Sequence, residues 1–489
     1  MKRDSVKKNY LYNISYQVFM AIVPLITTPY ISRILSVDGI GIYSYSYSMV
    51  RYFWLLSILG TATYGLRIIG ISQENLQERS YKFWNLFILK TILSIFCIFA
   101  YYSYIFMIPN NKTIGAIQGI YLLAAMFDIS WFYQGMENFK KISIKNFVVK
   151  IMNVVFIFVF IKNQSDLLLY TFGLAFFQFA GNISMWFSLK KYITRIEIKK
   201  LKPLEYLKPS AELFIPSVSA QIFSVIDKSM IGWITKNSAE NGYYEQAMKI
   251  IDVSLVFITT IGTIMVPSIS RAYKNGDKKS VIQSLNKSLN FIYFLGIPMM
   301  IGIISISDKF VPLFFGNGYE KSIYILDILS LLYMFMGINT VVGTQYMIST
   351  GQQRRHTCFL LISGTVNVIL NYLLINRILS IGAAIASVIG EITLTILENI
   401  FLIKTKQYDF RKTAKKSIPY IISSTIMAIF IRLFINKVHN LIFLIILIAG
   451  AGVIYISTLV LLKDQFLLEQ LNNIKKKITE KKKWKVYVI

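Results

Sequence analysis

Apolar runs of about 20 residues or more recur along the chain, parted by short polar corners. At 1.5 Å per residue, a run of that length crosses the roughly 30 Å hydrocarbon core of a bilayer as one helix. Fourteen stretches meet the description: 11–35, 39–69, 82–108, 112–134, 144–162, 166–190, 209–233, 244–270, 285–306, 321–350, 357–376, 380–404, 417–436 and 440–463. Backbone in hydrocarbon must satisfy its own hydrogen bonds, so each is expected to be helical. The predicted fold class is all-α, a multi-pass membrane protein. The first run is too long for a signal-peptide core and reads as a retained span. Connections on one side are brief, except a Phe-rich stretch at 307–319 that reads as an interfacial loop. On the other side the largest connection is 191–208, which contains Lys199-Lys200-Leu201-Lys202-Pro203. It separates two six-helix lobes, 1–190 and 209–404. Two additional helices (405–463) and a basic tail (464–489) follow.

The stretch from Pro24 to Arg67 concentrates the chemistry. Pro24 and Pro29 in the first span, and Pro216 in the seventh, each remove a backbone hydrogen bond and permit bending. After a polar corner at 36–39, the second span places Ser44, Tyr47, Ser48 and Arg51 on one helical face. Arg51 lies roughly 18 Å along that helix, past the middle of the core. Arginine at such a depth is costly in lipid, so it should face a wet cavity or a partner. Asp38-Gly39-Ile40-Gly41-Ile42-Tyr43 also has a faint echo about 201 residues later, in Glu240-Asn241-Gly242-Tyr243-Tyr244. That echo suggests an internal repeat, a known transporter design.

Composition agrees: 55% of the 489 residues are hydrophobic and 16% charged. The formal charge of +28 resembles that of a nucleic-acid binder, but its distribution excludes one. Most of the Lys and Arg fall on the side holding the longer connections. By the positive-inside rule that side is cytoplasmic, and the even number of spans puts both termini there. The same charges attract anionic membrane lipids. Cys97 and Cys358 are far apart and offer neither a disulfide framework nor a metal motif. No glycine loop with its lysine marks ATP use.

Ionisable groups within spans carry the functional signal. Arg51, Lys228 and Lys249 are the central cations, with Arg33 and Arg67 near the ends of the first two spans. Glu245, Lys249 and Asp252 share a face at i, i+4 and i+7, which reads equally as a self-neutralised network. Adjacent Asp227 and Lys228 must point in different directions. Glu391 and Glu398, two turns apart, read as ties to neighbouring helices or as a protonation relay. Asp128 opens an aromatic helix end, Trp131-Phe132-Tyr133, and is placed to anchor an arginine from another helix. Lys90 and Arg432 read as snorkelling residues, and His356 and His439 as plain loop residues. A cavity lined with Arg and Lys suits an anion such as phosphate.

With these residues in place, the chain resembles the Wzx-type oligosaccharide flippases of the multidrug/oligosaccharidyl-lipid/polysaccharide exporter superfamily. The matching phrases include Pro29-Tyr30-Ile31-Ser32-Arg33, Gly39-Ile40-Gly41-Ile42-Tyr43, Tyr64-Gly65-Leu66-Arg67 and Asp128-Ile129-Ser130-Trp131-Phe132-Tyr133-Gln134-Gly135. Asp227-Lys228-Ser229-Met230-Ile231-Gly232, Val266-Pro267 and Gly382 to Glu391 continue them in order. One departure is Asn376-Arg377-Ile378-Leu379-Ser380, where relatives tend to carry a Pro/Gly turn. The resemblance implies two six-helix lobes about a central cavity, working by alternating access in a bacterial cytoplasmic membrane. It implies a transporter, not an enzyme, whose substrate is a polyprenyl-pyrophosphate-linked oligosaccharide repeat unit for capsule or O-antigen. The headgroup would be held by Arg33, Arg51, Arg67, Lys228 and Lys249. Asp128, Asp227, Asp252 and Glu391 would be coupling or gating acids, with an H+ or Na+ gradient resetting the carrier and no cofactor. A polysaccharide polymerase complex is the further partner expected. The rivals are a lipid II flippase and a multidrug or cation antiporter of the same superfamily. An integral-membrane polymerase is a more distant rival, because it needs a large external loop.

Overall fold

The computed structural model describes the backbone of residues 3–107, 110–404 and 415–472, with the side chains at 3–21, 215–224 and 260–264 outside the described set. Among the described residues every regular element is a helix. Eleven helical segments are long and apolar enough to cross a membrane, and the first, Ile22–Ile71, holds two of the predicted spans. Phe214–Thr235 and Ser238–Lys274, of 22 and 37 residues, also have the length to cross. The arrangement is consistent with fourteen spans.

The corner after the first span is a single residue. Ser36 takes φ 58° and ψ 174° between helical neighbours, so the run Arg3–Ile58 turns there without unwinding. Pro24 and Pro29 both lie inside the helix before it. The side chain of Pro216 lies outside the described residues. The predicted span 39–69 is interrupted where Leu59 and Gly60 take positive φ, and Thr61–Ile71 continues as a separate helix.

Several expectations need correction or gain detail. The interfacial loop at 307–319 is largely helix: Lys278–Phe315 runs on through Pro298 and Pro312. It stops at Gly316 and Gly318, whose φ of 96° and 88° suit only glycine. The basic connection 191–208, expected as the linker between lobes, carries local structure of its own. Short 3-10 turns at Ile198–Lys200 and Pro203–Tyr206 punctuate it, and it is strapped to the helix Leu76–Met107. Ser80 Oγ accepts from Thr194 N (2.9 Å), Asn85 Oδ1 accepts from Lys202 N (2.6 Å), and Arg79 donates to Tyr192 O. Lys90 does not snorkel. It is 2% exposed and donates to the carbonyl of Asp128 at 2.5 Å, because its helix buries that face.

The turn without proline or glycine is held by a remote side chain. Leu379 alone takes the left-handed conformation, φ 59°, between Gln353–Ile378 and Ser380–Lys404. Glu240 accepts from both the backbone N (3.1 Å) and Oγ (2.5 Å) of Ser380 and so fixes the next helix start.

The chain groups into two compact units, one comprising Met1–Lys249, Phe315–Tyr319 and Leu360–Ser387, the other the remainder. Much of the first unit's core is aromatic. Phe83, Trp131, Phe132 and Tyr133 are buried together, with Trp84, Phe87, Trp186 and Tyr192 packed against them. In the second unit, Tyr455 donates to Phe294 O at 2.7 Å, and Arg432 pairs with Asp308 at 3.0 Å. The pairing replaces the simple snorkelling expected of Arg432.

Candidate functional site

In the first unit, three helical segments bring charge to one place because two of them touch backbone to backbone. A Cβ added at Gly41 would overlap the carbonyl oxygen of Ser238, and one at Gly242 would overlap that of Val37. The contact is reciprocal: Val37 and Ser238 stand 201 residues apart, as do Gly41 and Gly242. One turn further, Ser44 Oγ donates to Glu245 Oε2 at 2.7 Å, again across 201 residues. The two segments that echo one another in sequence thus cross at positions 201 residues apart.

Glu245 is the hub of that crossing. Its Oε2 pairs with Lys228 Nζ at 2.7 Å, and its Oε1 lies 3.7 Å from Lys249 Nζ. Both lysines are largely withdrawn from solvent. Next to Lys228, Ser229 shares a hydrogen bond with the Tyr52 hydroxyl at 2.6 Å. Arg51, half-buried on the same segment as Ser44, stacks its guanidinium 3.9 Å over the Trp54 ring. Tyr43, Tyr47, Tyr121 and Tyr170 pack with ring centroids 5.2–5.9 Å apart, so tyrosine flanks the charged cluster.

The structure therefore brings Lys228 and Lys249 together, with Arg51 two turns along the Ser44 helix. Arg33 and Arg67 are placed differently. Arg33 is exposed, donates to Pro29 O at 3.2 Å and packs against Gly316. Arg67 is exposed on Thr61–Ile71.

Asp227 points away from Lys228, as adjacency requires, into a cage of neutral donors. It is 3% exposed. Its Oδ2 accepts from Tyr244 (2.8 Å) and Ser387 (2.5 Å), and its Oδ1 from Asn371 (2.6 Å) and Asn367 (3.2 Å). No lysine or arginine among the described residues pairs with it. Asp128 is instead tied locally, accepting from Ser130 N (2.8 Å) and Oγ (2.5 Å), with Lys145 bonded to Ser130 and Asn182 beside it.

In the second unit, Glu391 accepts from Asn339 at 2.6 Å, and Thr395 donates to Asn339 Oδ1 at 2.6 Å. Glu398 is fully buried, with its Oε1 2.8 Å from His356 Nδ1. His356 is therefore no loop residue; it sits in the first turn of Gln353–Ile378. Both rest against Gly343, within a π-helical turn, Thr340–Ile348. The two glutamates thus hold separate partners. Asp252 is exposed in this unit. Among the described residues, no cluster of three or more His, Cys, Asp or Glu suits a metal ion.

Two in-span cations, Lys145 and Lys150, escaped the sequence reading. The available signal was the usual one, charge within an apolar run. The neighbouring Lys140-Lys141 pair disguises them as the basic flank of their helix.

Comparison with known proteins gives a consistent picture. Residues 6–273 match the family described as polysaccharide biosynthesis protein, and 213–373 match the MatE family. A putative O-antigen transporter of Escherichia coli is 21% identical over 82% of this chain and 98% of its own length. The lipid II flippase MurJ of Bacillus subtilis is 24% identical over 39% of this chain and 35% of its own. Among solved structures, a lipid II flippase MurJ in an inward closed conformation shares the fold. It is 18% identical, with a TM-score of 0.73 over 92% of this chain and 98% of that one. An inward-facing MATE multidrug transporter follows at 13% identity, with a TM-score of 0.59 over 78% and 97%.

Proposed function

The chain belongs to the polysaccharide biosynthesis protein family, within the multidrug/oligosaccharidyl-lipid/polysaccharide exporter superfamily, and on that premise we propose which cargo this membrane transporter flips. The cargo is a polyprenyl-pyrophosphate-linked oligosaccharide repeat unit, moved from the inner to the outer leaflet of a bacterial cytoplasmic membrane for surface polysaccharide. The observation that carries the reading is the Lys228–Glu245–Lys249 cluster, two cations around one acid on spanning helices, with Arg51 two turns along the Ser44 helix. A pyrophosphate diester carries about two negative charges, and the desolvation of those charges is the barrier to unaided flipping. Fixed cations lower that barrier for an anion and raise it for a cationic drug, which argues against an antiporter of cations. The name of the O-antigen transporter matched over nearly its whole length favours a repeat unit over lipid II.

The cycle proceeds by alternating access. The pyrophosphate enters from the cytoplasmic side, where both termini lie, while the polyprenyl tail stays in lipid. Two six-helix lobes then rock about the proline-bearing first and seventh helices, and the headgroup leaves outward, towards a polysaccharide polymerase complex. Coupling belongs to Asp227: a buried carboxylate held by neutral oxygen- and nitrogen-bearing neighbours gains most from taking up H+ or Na+. Arg33 and Arg67 serve at the ends of the path, and Asp128, Asp252 and Glu391 as gates.

Gene deletion with mass spectrometry of lipid-linked glycans tests the proposal. Complete repeat units should accumulate while surface polymer is lost, and accumulation of lipid II alone would move the assignment to that lipid. Arg51→Ala at normal expression should abolish export, and wild-type export by that variant would remove the cationic path.

A further inference from the structure

A second cluster in the first unit lies beside the Glu245 hub. A cavity of about 140 Å³ is lined by Thr27, Thr28, Lys150, Asn153, Tyr170 and Lys249. It has room for several waters, and hence for one phosphoryl group but not a sugar chain. Two of its six polar residues are lysines, near enough to repel one another. Among the described residues no carboxylate pairs with Lys150. Glu245, the acid paired with Lys249, has its Oε2 taken by Lys228 and Ser44 at 2.7 Å each, and its Oε1 remains 3.7 Å from Lys249. The Tyr170 hydroxyl donates to no described residue, and Asn153 Oδ1 is buried without a partner. Lys150 belongs to Phe139–Phe160, a span of mean hydropathy 1.9, where charge without a counter-charge is costly.

A cavity that gathers cations, a free phenol donor and no acid of its own is complementary to an anion. We infer that Lys150 and Lys249 form the subsite for one phosphoryl group of the carried lipid, with Tyr170 donating to it; this rests on the flippase reading above. Lysine acts as a mobile point charge with three donors and suits a tetrahedral phosphoryl group. Bidentate capture of a planar carboxylate is the province of arginine. Glu245 then plays a second part, holding Lys228 while leaving Lys249 turned to the cavity. Lys150 becomes a binding residue on a helix from which the sequence drew none.

The test uses the full-length protein purified in detergent, with undecaprenyl pyrophosphate as probe and inorganic pyrophosphate as competitor. The wild type should bind the lipid, with Lys150→Gln at least about tenfold weaker, as loss of a charge-assisted bond implies. Lys150→Arg should stay within a few-fold, and Lys162→Gln, an exposed loop change, should match the wild type. Should Lys150→Gln melt early, Asn153→Asp makes the same demand, since a carboxylate beside the two ammonium groups must weaken the lipid. Weak competition by inorganic pyrophosphate supports a lipid-borne phosphoryl group. Competition as tight as the lipid's would assign the pocket to a free anion and overturn the inference. Lys150→Gln and Asn153→Asp both binding like the wild type, with unchanged melting, would remove the subsite and leave the flippase reading standing. No binding by the wild type, together with no accumulation of lipid-linked sugar on deletion, would remove the reading itself.

Discussion

Glu245 shows how one side chain sets the electrostatics of a site. With 12% of its side chain exposed, it compensates Lys228 at 2.7 Å and reaches Lys249 at 3.7 Å. Removing one member of a buried pair leaves the other charge uncompensated, which is worse than removing both. Glu245→Gln should therefore destabilise the protein by about 3 kcal/mol, read as a lower melting temperature in detergent. Adding Lys228→Met should recover a good part of that loss. If the double variant is no better than the single one, the pair does not carry the energy. A second residue-level case is Leu379, in left-handed backbone at the turn before Ser380. Leu379→Gly should stabilise by about 1 kcal/mol, the penalty a side chain meets there. A fall in melting temperature would mean that the leucine's own packing outweighs its strain.

At the scale of elements, the crossing of segments 37–58 and 238–249 depends on two positions having no side chain. Gly41→Ala and Gly242→Ala each push a methyl into a carbonyl oxygen of the facing helix, and overpacking of that kind costs about 1–3 kcal/mol. Gly452→Ala, which meets nothing within 4 Å, is the control and should be neutral or slightly stabilising. Fluorescence-detected size exclusion of the three variants ranks them directly. Sequence carried much of this level. Period and hydropathy placed the spans and the corner fell at Ser36, whereas the Gly-x-Tyr echo hinted at a repeat but not at the crossing of its two segments. What sequence withheld was the partner of each charge. Nothing in the spacing says that Lys90 meets the Asp128 carbonyl, that His356 meets Glu398, or that Lys150 faces Lys249. Those pairings join residues 38, 42 and 99 positions apart, and only helix packing decides them. The loop expected at 307–319 failed for a different reason: proline is a weak breaker in membrane helices, and Pro312 sits inside one.

For the molecule as a whole, the distribution of basic residues predicts an orientation with both termini on the cytoplasmic side. In a Cys358→Ser background, where the remaining Cys97 is buried, Ser165→Cys should react with an impermeant maleimide on intact cells. Asn275→Cys should react only after permeabilisation, and the reverse pattern would invert the topology. The crossing of the repeats also bears on ancestry. A duplicated segment begins with two identical copies, and a side chain on their axis meets its own twin. Two glutamates there would set like charges at hydrogen-bonding distance in a dry place, and two serines would offer nothing to a lysine. The pair Ser44 and Glu245 is the escape from both. One crossing segment carries the hydroxyl and the other the charge, and Lys228 and Lys249 gather around the charge. The two segments are thus chemically unequal at a place where their spacing in the chain matches.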